Sequence, residues 1–168
     1  SSGPVPRNGQ GTQTYSTGDV YVGNLVNGIP NGRGTATFAN GNKYSGEHRD
    51  GRPVEGTLTY ANGDVYVGNF AGGRPNGQGS ITYENGDKYE GNFIDGIRTG
   101  KGVYIWANGN KYEGDWVDGI RTGKGVYIWA NGDKYEGNFI DGKQTGKGVL
   151  IWANGNKYEG DWVDGIRT

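Results

Sequence analysis

The chain has 168 residues and a mass of 18.0 kDa; 36 of the residues are glycine, only 32% are hydrophobic, and the formal charge is −1. Glycine stands at about three times its usual share of ~7%, so any core must be assembled from rings and bare backbone. Seventeen basic against eighteen acidic side chains remove the basic excess that nucleic-acid binding calls for. Zero cysteines and the single histidine, His48, exclude disulfides, thiolate metal sites, cysteine nucleophiles and any site needing two histidines.

No apolar run approaches the roughly 20 residues of a membrane-spanning helix, and no signal-peptide pattern is present. The compartment is left open between the cytoplasm and a membrane periphery. Residues 1–8 read as an N-terminal tail. From Gly9 the chain repeats, in seven units: 9–31, 32–54, 55–76, 77–99, 100–122, 123–145 and 146–168. Six units have 23 residues; the third is one shorter, because Glu55-Gly56 stands where other units have Gly32-Arg33-Gly34 or Gly77-Gln78-Gly79. Tyr21, Tyr44, Tyr66, Tyr89, Tyr112, Tyr135 and Tyr158 mark the register. A fixed period of this length marks a repeat architecture.

Each unit reads as a β-hairpin. In the first, Thr12 and Thr14 lead into Thr17-Gly18 and a strand through Tyr21. Later units place Asn40-Gly41, Asn62-Gly63, Asn85-Gly86, Asn108-Gly109, Asn131-Gly132 and Asn154-Gly155 between two β-rich segments. Asn-Gly suits the positive backbone angles of a tight hairpin. The connection to the next unit, as in Asp118-Gly119-Ile120-Arg121-Thr122-Gly123, reads as a longer turn, joined by Pro30, Pro53 and Pro75 in the first three copies.

Alternation assigns the faces. Tyr112, Gly114 and Trp116 point one way with Gly102, Tyr104 and Trp106, while Glu113, Asp115, Val103 and Ile105 point the other. The same rule makes Tyr135, Tyr158 and Trp162 structural aromatics. Strand-interior glycines normally cost stability, so each is expected to leave room for a ring lying across the strand. Two strands per unit predict an all-β fold: an elongated, single-layer, twisted antiparallel meander of about fourteen strands in seven hairpins.

The outer face changes along the chain. Thr12/Thr14, Thr35/Thr37, Thr57/Thr59 and Ser80/Thr82 give way to Val103/Ile105, Val126/Ile128 and Val149/Ile151. These six apolar residues are the expected surface for a protein partner or a second copy. Arg98, Lys101, Arg121, Lys124, Lys143 and Lys147 form a second candidate set, suited to anionic lipid headgroups or acidic peptides. The carboxylates recur in equivalent places, as Glu90, Glu113, Glu136 and Glu159 do, which argues against a unique acid/base pair. No catalytic residue, cofactor or metal site is expected. His48 occupies the slot of Leu25, Phe70, Phe93, Trp116, Phe139 and Trp162, and reads as an irregular ring in an aromatic position.

The segments "YEGDWVDGIRTGKG" at 112–125 and "YEGNFIDGIRTGKG" at 89–102 closely resemble the MORN repeat family. The resemblance covers residues 9–168. It implies one hairpin per repeat, a single-layer twisted sheet, and a role in protein contact, targeting or membrane association. Leu25 and His48 replace the second aromatic, Val22 and Ser45 precede the invariantly placed glycines, and the third unit is short, so the N-terminal half is the less regular part. The expectation is a non-enzymatic repeat scaffold for protein interaction or self-association. Peripheral membrane binding and an extended carbohydrate-binding face are the alternatives.

Overall fold

The computed structural model describes residues 8–168, and among them every regular element is a strand. Residues 1–7 of the expected tail lie outside the described residues, and Asn8 already belongs to the first strand. The chain forms two compact units, one up to Glu84 and one from Asn85. The first holds β1 (Asn8–Thr14), β2 (Val20–Val26), β3 (Ile29–Thr37), β4 (Lys43–Arg49), β5 (Arg52–Thr59), β6 (Val65–Ala71) and β7 (Arg74–Thr82). The second holds β8 (Lys88–Ile94), β9 (Ile97–Ile105), β10 (Lys111–Val117), β11 (Ile120–Ile128), β12 (Lys134–Ile140), β13 (Lys143–Ile151), β14 (Lys157–Val163) and β15 (Ile166–Arg167). In each unit the strands follow chain order in an open antiparallel meander. Among the described residues fifteen strands stand where about fourteen are expected, because the two-residue β15 opens a further hairpin.

The turns differ from the sequence expectation in an instructive way. At Ala107-Asn108-Gly109, Gly109 N–H donates to the Trp106 carbonyl and Trp106 N–H donates to the Asn110 carbonyl, each at 2.9 Å. Only Gly109 has a positive φ there, of 95°. This is a three-residue loop closed by a glycine bulge, so Asn108 needs no left-handed backbone. The two-residue turn lies at the other end of the strands, where the sequence suggested a longer link. Asp118 and Gly119 have φ of 50° and 80°, as a type I′ hairpin requires, and Asn27, Asp50, Asp95, Asp141 and Asp164 repeat the geometry. The rest of the expected link is strand, and a register shift between Gly114 and Trp116 absorbs its two extra residues.

Glycines face glycines from β8 to β14: Gly91, Gly102, Gly114, Gly125, Gly137, Gly148 and Gly160 are successive partners in the second unit. Over this bare strip lie the register tyrosines. A Cβ on Gly114 would stand 2.5 Å from the Gly125 Cα and 2.7 Å from the Tyr112 hydroxyl oxygen, and one on Gly125 would enter the Tyr112 ring. Tyr112 is 0% exposed. Its hydroxyl donates to the Asp115 carbonyl at 2.8 Å, beside the bulge, as Tyr21, Tyr44, Tyr66 and Tyr135 do to Asn24, Glu47, Asn69 and Asn138. Burial pushes the Tyr66 and Tyr112 hydroxyls up to about 12.

Between the tyrosines sit the second rings, edge to face. Tyr112 meets Trp116 at 5.3 Å and Phe139 at 5.1 Å, and Tyr135 meets Phe139 and Trp162 at 5.2 Å each. Each such pair adds about 0.5–1.5 kcal/mol beyond the area it buries. The core of each unit is therefore a file of rings along one face of a sheet. His48 completes that file in the first unit, 4.9 Å from both Tyr21 and Tyr44. Its burial lowers its pKa from 6.5, against the opposing effect of the Gly32 and Gly46 backbone, and Nδ1 is buried without a hydrogen-bond partner.

Candidate functional site

Cross-strand partners share a face, so the ladder register places every side chain singled out above. On the inner, ring-bearing face of the second unit, the register that seats Tyr104 opposite Tyr89 and Tyr112 also seats Arg98 opposite Phe93. Equivalent places in the first unit hold Pro30, Pro53 and Pro75, opposite Leu25, His48 and Phe70. The second unit thus exchanges proline for arginine at Arg98, Arg121 and Arg167, with Gln144 between them.

These arginines lie among rings. Arg98 stands 4.9 Å from the Trp116 centroid and 5.1 Å from that of Tyr104, and donates to the Gly119 carbonyl at 3.0 Å. Arg121 is 5.2 Å from the Trp106 centroid and 5.4 Å from that of Tyr127, and burial pulls its pKa down. Beside them runs a file of rings that starts at the buried Tyr104 and continues through the half-exposed Trp106, Tyr127 and Trp129: Tyr104 to Trp106 at 4.6 Å, Trp106 to Tyr127 at 5.2 Å, Tyr127 to Trp129 at 4.7 Å, all tilted and none edge-on. Arg98, Tyr104, Trp106, Trp116, Ile120, Arg121 and Asp141 enclose a hollow of about 290 Å³. In the first unit a hollow of about 450 Å³ lies among Tyr15, Tyr21, Pro30, Ala36, Phe38, His48 and Pro53. Ala36 faces Tyr21 and Tyr44 where Tyr104 faces its own pair, so a missing ring opens that space.

The outer face of the second unit is striped. Val103 lies between Glu90 and Glu113, Val126 between Glu113 and Glu136, and Val149 between Glu136 and Glu159. Ile105, Ile128 and Ile151 lie in the same way between Lys88, Lys111, Lys134 and Lys157. The six apolar residues share a face, with charged strands separating each pair. Of them only Ile105 is exposed; the other five are half-buried. Apolar side chains at the Asp-Gly hairpin tips are more exposed than these six: Ile94 (59%), Val117 (52%), Ile140 (58%) and Val163 (57%), and of these sequence reasoning passed over Ile94 and Ile140. Their alternation with the buried rings was a usable signal.

The six candidate cations divide between faces. Arg98 and Arg121 belong to the inner face, while Lys101, Lys124, Lys143 and Lys147 belong to the outer one. Lys101 pairs with Asp115 at 2.5 Å, and this hydrogen bond holds the Asp115 carboxyl below its ordinary range; Lys147 reaches Asp161 at 3.5 Å. Sequence reasoning also missed the polar stitch between repeats. Asp87, Asn110 and Asp133 accept from the Ala107, Ala130 and Ala153 amides, one loop further on, at 2.8–2.9 Å. Among the described residues no group of three or more His, Cys, Asp or Glu side chains is placed to hold a metal ion, and no helix is long and apolar enough to cross a membrane.

The sequence pattern of the MORN repeat matches residues 6–20, 21–43, 44–65, 66–88, 89–111, 112–134, 135–157 and 158–168. The chain belongs to the MORN repeat family. Each MORN match after the first opens on a register tyrosine, the ring that crosses the glycine strip. No curated protein sequence matches the chain. Among solved structures, the TCP domain of Drosophila melanogaster SAS-4, in complex with a proline-rich motif of Ana2, aligns with a TM-score of 0.61 at 14% identity, covering 95% of this chain and 88% of that one. The TCP10c domain of Drosophila melanogaster Sas-4 aligns with a TM-score of 0.54 at 13% identity, covering 95% and 97%. At such identity the likeness is one of fold.

Proposed function

We propose that this MORN array is a non-enzymatic scaffold whose inner face binds an extended, proline-containing segment of a partner protein. The observation that carries the reading is the half-exposed file Trp106, Tyr127 and Trp129, seated beside the buried Tyr104, with Arg98 and Arg121 set among these rings. Proline-rich segments hold an extended helix without internal hydrogen bonds. Flat aromatic surfaces receive their rings, and nearby donors take their free carbonyls. Trp, Tyr and Arg are also the residue types on which binding energy concentrates. The SAS-4 domain of similar fold, solved with a proline-rich motif, supports the same choice of ligand. Anionic lipid draws less support: Lys101 and Lys147 each pair with an aspartate, and the arginines are among rings.

Titration of the whole chain with a panel of proline-rich peptides, followed by tryptophan fluorescence, tests this. A saturable response is expected, and Trp106→Ala with Arg121→Ala should weaken it about tenfold or more while leaving the far-ultraviolet spectrum unchanged. Equal affinity in that variant, or no saturable response across the panel, removes the reading.

A further inference from the structure

We infer that the outer face of the second unit is a two-fold docking surface for a second copy of this chain. The surface lies opposite the ring-bearing face and is independent of its ligand. In β10 the outward pair is Lys111 and Glu113; in β9 it is Val103 and Ile105, and the two kinds of strand alternate across the unit. Lysine and isoleucine thus share one row, and glutamate and valine share the next.

A half-turn about an axis lying in this face, across the strands and between those two rows, sets each strand over itself in reverse. Lys111 then meets Glu113 of the partner subunit, and Val103 meets Ile105 of the partner subunit. Every charged strand finds opposite charge and every apolar strand finds apolar surface. An axis along the strands would instead set lysine row on lysine row. The charge pattern therefore selects one isologous arrangement. Sheets twist about the direction that crosses their strands, so copies related by that axis twist together and keep register from strand to strand.

Seven strands at about 4.8 Å, overlapping for about 20 Å along their length, give roughly 700 Å² per copy, close to the ~800 Å² of a standard interface. Within one copy the charges are weakly engaged: Lys111 to Glu113 and Lys134 to Glu136 are each 3.9 Å apart, with the glutamates well exposed. The first unit lacks the pattern, since Thr35 and Thr37 face Val22 and Val20 there.

Sedimentation of the full chain should show a dimer that forms with concentration and weakens with salt. An acidic variant, Lys111→Glu with Lys134→Glu, and a basic variant, Glu113→Lys with Glu136→Lys, should each dimerise at least about tenfold more weakly alone. Their equimolar mixture should recover association, and so should one chain carrying all four changes, whose face is again self-complementary. Far-ultraviolet spectra establish that each variant is folded, and proline-rich peptide binding should persist in all of them, which separates this surface from the inner one. A wild-type chain monomeric at its highest soluble concentration, variants that associate like wild type, or a mixture that stays dissociated would overturn the inference.

Discussion

Gly114 shows how much a single absent atom decides. Valine is the better strand former, yet its Cβ at position 114 would enter the space of Gly125 and the Tyr112 hydroxyl, and both are fixed by the ladder. Gly114→Val should cost roughly 1–3 kcal/mol by overpacking, while Glu113→Val, on the exposed outer face, should be close to neutral in denaturant midpoint. Equal losses would place the rings on the wrong face. His48 makes the complementary case. Its folded pKa lies below 6.5 because burial disfavours the charged ring, so the unfolded chain takes up the proton first. Stability is whole above pH 6.5 and falls as pH drops from there toward the folded pKa. His48→Phe, which restores the ring of Phe70 and Phe93, should remove that part of the decline in a pH series of denaturation curves. An unchanged slope would mean that His48 does not titrate differently on folding.

The two ends of each hairpin are held by different chemistry. At the Asp-Gly end both turn residues take positive φ, and Gly72-Gly73 does the same in the first unit. Asp118→Ala should therefore cost about 1 kcal/mol of left-handed strain, and Asp118→Gly should be tolerated. At the Asn-Gly end Asn108 contributes only a local acceptor, for the Asn110 amide at 2.9 Å, on an exposed loop. Asn108→Ala should lose a few tenths of a kcal/mol. Chemical denaturation of the three variants checks the order; a larger loss at Asn108 than at Asp118 would contradict the turn geometry. The proline-to-arginine exchange is also a property of elements, since it changes what the inner face offers without altering the strand ladder that carries it.

For the molecule as a whole, contacts within each unit run from each hairpin to its neighbours, so the stability of each unit should behave as a sum of repeats and nearest-neighbour terms. Phe139 joins Tyr112 to Tyr135 and is 1% exposed. Phe139→Ala should cost about 3 kcal/mol, and its effect should stay local. Amide exchange should accelerate across β10 to β14 and remain unchanged across β2 to β5. Uniform acceleration through both units would show one cooperative block in place of a linear array.

The repeat, the hairpins, the ring face and the absence of helix were all legible in the sequence, because period 23 and period two are local and every copy repeats the message. The family followed from the same repeated letters. Turn types were less legible: Asn-Gly and Asp-Gly both permit positive φ, and only the strand register, with its bulge after the glycine, decides which pair must adopt it. The place of Arg98 and Arg121 was hidden for another reason: Arg121 and its equivalents read as part of a link, and only the strands that run through them, with a register shift of two residues that keeps the alternation, set both on the ring face. The striping of the outer face was also beyond the linear reading. Val103 on β9 and Glu113 on β10 are ten residues apart in the chain and adjacent only across the ladder, where hydrogen-bond register, a tertiary property, sets the neighbours.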